Sequence, residues 1–301
     1  MDFTELNLET ISSIHLHNMT IEEVVEADKR RGERFHFSGG VWWREERPFF
    51  YYPAGYMTRL VPHQAEPKLW LALGGYYHMV PQGVPGNSEI VVNEILDPAN
   101  YGLESLGRDK RRQIRRGLAF FRIGRVEDLN DLLGDGYRVY LDWAKRTANI
   151  RGNLSNPALF NRWITGNFLH PYKLILGAYA QNRLVAFLIA DAVDGVAKAI
   201  KAFSDSSFNA LPPMSALYYA FVKICARHEQ ICNVYCGVRM PKPSLEFYKS
   251  RLGFQHVSYP TFVSLRPVIR PLVRWLMPME YRRLMGQYPT ESPSVPSSPA
   301  A

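Results

Sequence analysis

The stretch that most constrains this chain is the run from Tyr172 to Gly195: "YKLILGAYA", the turn residues "QNR", "LVAFLIADAV", then "DG". Two apolar runs separated by a short polar turn read as a β-hairpin, and the Asp-Gly pair opens a third antiparallel strand, "VAKAIKAFSD". The second and third strands carry the core. After the loop "SSFNALPP" comes "MSALYYAFVKICARHEQ", a helix started by Pro213, with Leu217, Phe221, Ile224 and Cys225 on one face. A strand "ICNVYCGV", a short helix "PSLEFYKSRLG" and a last strand "HVSYPTFVSL" complete the order β-β-β-α-β-α-β.

The first half reads as a helix or two, including "TIEEVVEADKRR", and then short strands, "VWWREE", "PFFYYP", "KLWLALGG" and "EIVVNEIL", punctuated by Pro and Gly. Beyond it, "RVEDLNDLLGDGYRVYLDWAKRT" is helical by the spacing of Leu129, Leu132 and Leu133. That helix, or the loop before it, is the expected domain boundary. A chain of 301 residues suits two domains of about 150 each. The apolar share of 47% excludes low-hydrophobicity disorder for the body of the chain. The end differs in kind: "RPVIRPLVRWLMPMEYRRLM", residues 266–285, mixes Arg with Leu, Trp and Met, and its prolines break it into short helical pieces. It reads either as a packing arm with basic edges or as a membrane-surface segment spanning 266–288. The Ser/Pro tail, 289–301, is expected to be disordered.

The formal net charge of +8 implies affinity for polyanions without choosing among nucleic acid, phosphorylated cofactors and an anionic membrane. The acidic N-terminus lacks the basic flank and apolar run of a signal peptide, and no run of about eighteen apolar residues occurs, so a cytoplasmic protein is expected. Cys225, Cys232 and Cys236 form no disulfide framework. With His228 they make a C-x2-H-x3-C-x3-C cluster, but its members are split between a helix and a strand, so no metal is expected. A Gly-x-Ser-x-Gly elbow, a His-Glu-x-x-His helix and a Walker loop are all missing from the sequence, which argues against the serine hydrolase, zincin and P-loop classes.

The segment "SLEFYKSRLGF", Ser244 to Phe254, resembles the closing motif of the GNAT superfamily of acyl-CoA N-acyltransferases. With the hairpin, third strand, loop and Pro-started helix before it, the resemblance covers about residues 170–265. The run "KRRQIRRGL" ahead of it resembles a recurring segment of the Fem-like branch, the tandem-GNAT aminoacyltransferases and their relatives. The resemblance implies an α/β (α+β) architecture of tandem GNAT-like mixed sheets flanked by helices. A degenerate N-terminal half would span 1–125 and an acyltransferase half 126–265. It implies N-acyl transfer to an amine, from acyl-CoA, an acyl carrier or aminoacyl-tRNA as co-substrate, with a small-molecule or cell-envelope acceptor. One departure matters. Where acetyl-CoA enzymes carry a glycine-rich loop whose amides grip the pyrophosphate, this chain has "SSFNALPPMSAL", with no glycine and two prolines. Fem-like enzymes also tend to lack that loop.

By the same resemblance Tyr248 stands where many GNAT enzymes place a tyrosine on the leaving group, and a phenol with pKa ~10 is a usable acid at neutral pH. Its alternative is packing with Phe247 and Phe254. Asp205, at the end of "KAFSD", is the candidate general base, and otherwise the cap of a turn. Phe203, Ser204, Asn209, Met214, Ser215, Ala216 and Lys249 are the candidate donor-binding residues. In the basic run, helical spacing puts Arg108, Arg112 and Arg115 on one face with Arg111 close by. The stripe is either an anion site, for which the planar guanidinium suits phosphate, or a solvated face neutralised by first-half carboxylates. Two readings of other classes stand beside the enzyme: a non-catalytic GNAT-fold scaffold, and a basic nucleic-acid-binding module.

Overall fold

The computed structural model describes residues 2–68, 70–147, 154–240 and 242–287. In chain order the elements are α1 (Thr4–Ser13), β1 (Asn18–Met19), α2 (Ile21–Arg30), β2 (Phe35–Ser38), β3 (Val41–Arg47), β4 (Phe50–Pro53), β5 (Gly75–Met79) and β6 (Ser88–Ile95). Next come α3 (Arg108–Phe120), β7 (Arg122–Arg125), α4 (Leu129–Asp131), and a π-helical turn (Leu132–Gly136) that runs into α5 (Tyr137–Thr147). The remainder is α6 (Pro157–Phe168), β8 (Leu174–Ala180), β9 (Arg183–Val193), β10 (Val196–Ser204), α7 (Pro213–Ala226), β11 (Asn233–Val238), α8 (Pro243–Arg251), β12 (Gln255–Leu265), α9 (Ile269–Leu276) and α10 (Pro278–Leu284).

The strands join one mixed sheet in the order β2-β3-β4-β5-β12-β6-β11-β10-β9-β8-β7, with β1 pairing in parallel with the end of β9. Local chemistry explains the second half. Gln181 and Asn182 both take positive φ (50° and 64°), as do Asp194 and Gly195 (47° and 79°). Two left-handed central residues give the hairpin turn whose twist matches that of the strands. Both strands of the first hairpin are buried almost throughout, because helices cover both faces of the sheet. On one face α1, α3 and α7 enclose Ile114, Leu118, Phe121, Leu217 and Phe221; on the other, α5 and α6 enclose Val139, Tyr140, Phe160 and Ile164.

The first half departs from the sequence reading in its strands: β1 and β2 were not among those expected, and one expected strand is displaced. "KLWLALGG" is not a strand: Leu71 and Ala72 donate to the Lys68 carbonyl in a turn, and the strand is the next segment, β5. Its start at Gly75 is a close approach, since a Cβ there would fall 2.1 Å from the Ser264 carbonyl oxygen of β12. The first half also lends a strand to the second. β6 lies between β11 and β12, pairing antiparallel with both, so the edge of β11 is covered. At the end of the chain α9 and α10 break at Pro278, and α10 is fixed to the body by Ser88 Oγ donating to the Leu284 carbonyl (2.5 Å) and by Arg47–Glu280 (3.6 Å). The expected tail, 289–301, lies outside the described residues.

Candidate active site

β10 and β11 start as a parallel pair, Val196 with Asn233, Ala197 with Val234, Lys198 with Tyr235, and then part. Just past the last pair, between Ala199 and Lys201, β10 carries a bulge against β9. An extra residue bends the strand and reverses which face its later side chains occupy. Beyond that point the N-terminus of α7, α8 and one face of α3 come together.

Three polar side chains converge there. Lys110, from α3, points its ammonium at Ser215 Oγ (3.1 Å) and lies 4.5 Å above the ring of Tyr248; Ser215 Oγ and the Tyr248 hydroxyl are 3.4 Å apart. Lys110 and Ser215 are buried and Tyr248 is half-buried. Beside them the Cys236 thiol donates to the Tyr218 hydroxyl (3.4 Å). Among the described residues no carboxylate lies within 4 Å of the Lys110 ammonium. Burial, helped by the charge of nearby Arg251, pulls its pKa down to about 8. Burial also pushes the Tyr248 phenol well up, against a hydrogen bond from Ser215 that lowers it, so Tyr248 is a weaker acid than the sequence suggested.

The other expected site residues divide. Ser215 and Ala216 sit at the start of α7, where Ala216 meets Gly117 of α3 so closely that a Cβ on that glycine would be 3.0 Å away. Met214 packs on the same core and Asn209 is exposed in the loop before α7. Phe203 is not in the cleft: the bulge turns it to the opposite face, where it is buried against Tyr140, Trp143, Trp163 and Phe187. Lys249 is buried beside Glu246 (3.5 Å), which also binds His256 (3.0 Å), so its charge is spent within the fold.

Asp205 takes the role of a cap. It accepts from the Ser207 amide (2.9 Å) and hydroxyl (2.7 Å) and pairs with Arg138 (2.5 Å). Burial would raise its pKa, but these bonds outweigh that and lower it, which removes its value as a general base. Asp205 belongs to a clamp that sequence reading missed. Arg138, Asp142 and Arg146, four residues apart along α5, hold Asp205, the Ser206 amide and hydroxyl (2.8 Å each), and the Ser204 carbonyl (3.3 Å). The loop that lacks glycine is thereby pinned just past the end of β10.

On the outer side of α3, Arg108, Arg111, Arg112, Arg115 and Arg116 line an open groove of about 480 Å³. Glu104 engages Arg111 (2.7 Å) and Arg115 (3.6 Å), and Asp109 engages Arg112 (3.7 Å) and Arg251 (3.4 Å). Both sequence readings of the stripe thus have a structural counterpart: it is partly neutralised, yet Arg108 and Arg116 have no carboxylate within 4 Å among the described residues. The cysteines are dispersed, with Cys225 and Cys236 buried and Cys232 exposed, while the ring of His228 meets that of His15 at a tilt, with centroids 4.6 Å apart.

No family model matches the chain, and no curated protein matches it in sequence. Solved structures do match it. FemX superposes with a TM-score of 0.58, covering 91% of this chain and 98% of that chain at 9% identity. The chain shares the fold of FemX. The C-terminal domain of a protein described as a lysylphosphatidylglycerol synthetase, from Agrobacterium fabrum, follows at TM-score 0.52, 9% identity and 89% and 97% coverage. A conserved protein of unknown function from Bacteroides thetaiotaomicron stands at 0.50, 12%, and 88% and 99%. Strands β10 and β11, Ser215 and Tyr248 lie in the segment 170–265 that carried one resemblance in the sequence, and Lys110 opens the basic run that carried the other.

Proposed function

We propose that the protein is an N-acyltransferase that moves an acyl or aminoacyl group from an activated donor to an amine. The observation that carries this reading is the convergence of Lys110, Ser215 and Tyr248 where β10 and β11 part. The neutral amine attacks the donor carbonyl, the tetrahedral adduct collapses, and the departing thiolate or ribose oxygen takes a proton. Lys110 supplies that proton: with a pKa of about 8 it is acidic enough for a departing thiolate, whose thiol has a pKa of ~8.5, and for the more basic ribose oxygen of an aminoacyl-tRNA. Ser215 relays or orients, and the Tyr248 phenol, which stays protonated, donates a hydrogen bond to the same leaving atom. The amine loses its own proton to solvent, because Asp205 is committed to the turn.

For the donor, the arginine groove favours a polyanion. Planar guanidiniums suit phosphate, and two of the five lack a carboxylate partner among the described residues. Aminoacyl-tRNA fits this groove better than free acyl-CoA, which would rely on the start of α7 and a clamped loop without glycine. In this reading the acceptor side meets a membrane through α9 and its flanks, where Val268 (82% exposed) before α9, Leu272, Trp275 (77%) and Leu276 within it and Met279 at the start of α10 stand in solvent among Arg270 and Arg274. Among the described residues no helix is long and apolar enough to cross a membrane. The test is a thermal-shift titration with acyl-CoA, acyl carrier protein and charged tRNA. A saturable rise in Tm with one of them supports the reading; no shift with any of the three counts against it.

A further inference from the structure

Lys198 is the last residue of β10 to pair with β11 before the strands part, and it stands directly beside Asp191 of β9 and Tyr235 of β11. Its neighbours Ala197 and Ala199 face α7, so these three side chains emerge together on the opposite face, behind the Lys110 cluster. There Tyr56, from the segment after β4, lies over them. The Lys198 ammonium is 4.3 Å from the Tyr56 ring centroid and 5.4 Å from that of Tyr235.

The surrounding charges are matched to other partners. Asp191 accepts from the Tyr56 hydroxyl (2.6 Å). Asp28 takes Arg44 (3.1 Å), Arg31 (3.4 Å) and His170 (3.4 Å), and Lys173 donates to Asn167 (3.1 Å). Lys198 alone of this group has ring faces and no acceptor within hydrogen-bond distance among the described residues. A half-buried ammonium with three N–H donors, ring faces around it and Asp191 beside it but outside hydrogen-bond distance has no directly bonded anion among the described residues. Burial lowers its pKa to about 8, and the charges of Asp191 and Glu46, which act the other way, do not outweigh it.

We propose that this face is the acceptor site, and that it takes an amine carrying an acidic group, a carboxylate or a phosphate, held by Lys198 and flanked by Tyr56 and Tyr235. The inference rests on the acyl-transfer reading, since it is the amine of that molecule that would reach, from this side, the place where β10 and β11 part. Tyr52, Tyr77 and Phe50, stacked in pairs at 5.8 and 5.9 Å, extend the aromatic wall.

The test is calorimetric titration of the full chain with β-alanine, phosphoethanolamine and ethanolamine, in wild type and Lys198→Met, with the Tm of each. One or both anionic amines are expected to bind wild type, at least roughly tenfold more tightly than ethanolamine, and to lose that advantage in the variant. Whichever binds tells carboxylate from phosphate. The variant, which keeps the apolar stem, is expected to retain or raise its Tm. Three outcomes overturn the proposal: the three amines bind alike or not at all at millimolar concentration; binding is unchanged in Lys198→Met; or the variant melts several degrees lower, which would make the ammonium a structural partner of Asp191. Donor titration is read separately, so failure here with donor binding intact sinks the acceptor site alone. Failure of the donor with amine binding intact sinks the transfer reading.

Discussion

The ammonium of Lys110 and the hydroxyl of Ser215 are 3.1 Å apart, although 105 residues separate them, and this contact joins the basic helix to the start of α7. A buried cation without a carboxylate partner is costly to the fold and is retained where chemistry needs it.

Lys110→Met therefore separates activity from stability. Transfer is expected to fall by roughly a hundredfold or more, the scale of a lost general acid, while the fold is unharmed or strengthened. The pH dependence gives the sign. The folded-state pKa of about 8 lies below the unfolded value of a lysine, so between those values the unfolded chain binds more protons and stability rises with pH. The stability advantage of Lys110→Met over wild type, on the order of 1–2 kcal/mol at neutral pH after solvent screening, is expected to shrink from pH 8 to pH 10. Denaturant melts of the two proteins across that range check it.

Asp205→Ala removes the cap and the Arg138 pair together. A stability loss of about 2 kcal/mol is expected, along with lower donor affinity from a loosened loop. The shape of the pH–rate profile should stay the same. Loss of the acid limb in that profile would restore Asp205 as the base.

Asp28 sets an acid limit. Burial alone would raise its pKa, but the His170 hydrogen bond and the charges of Arg44 and Lys173 outweigh it and hold the carboxyl at about 2. A depressed carboxyl stabilises above its unfolded value and loses that contribution as pH falls toward the folded one. Wild type should lose about 2 kcal/mol between pH 5 and pH 2 that Asp28→Asn does not lose, measured by urea melts.

Arg111→Ala and Arg112→Ala probe the groove. If a charged tRNA is the donor, each is expected to weaken its binding and to flatten the salt dependence by about one unit of log–log slope. Filter binding over a range of salt concentrations measures both.

Leu272→Ser with Trp275→Ser addresses α9. Sedimentation with vesicles containing phosphatidylglycerol should fall roughly tenfold relative to wild type, and phosphatidylcholine vesicles should bind neither protein well. Equal binding of the double variant would remove α9 from the membrane.

The sequence made the second half legible because its signals are local: two left-handed turn pairs, a proline at the start of α7 and the "SLEFYKSRLGF" segment each specify structure within a few residues. β5 was displaced onto "KLWLALGG" because its partner, β12, lies far along the chain, and the tight Gly75–Ser264 approach leaves no local pattern. Phe203 was misplaced for a similar reason: the bulge between Ala199 and Lys201 reverses the alternation, and nothing in "VAKAIKAFSD" announces it. Lys110 could have been found. It precedes Ile114, Gly117 and Leu118 by four, seven and eight positions, the spacing of one helical face, and so stands on the buried side of an otherwise basic helix. The Arg138–Asp142–Arg146 stripe was open to the same reasoning, though the loop it holds was not.

The most direct test is turnover itself, with whichever donor shifts the Tm, followed by mass spectrometry of the amine product for wild type and Lys110→Met side by side. The expected result is an amine heavier by the acyl group with wild type, and almost none with a fully folded variant. An equal yield from both proteins, or a donor that binds and is never transferred, would contradict the assignment of this site to acyl transfer.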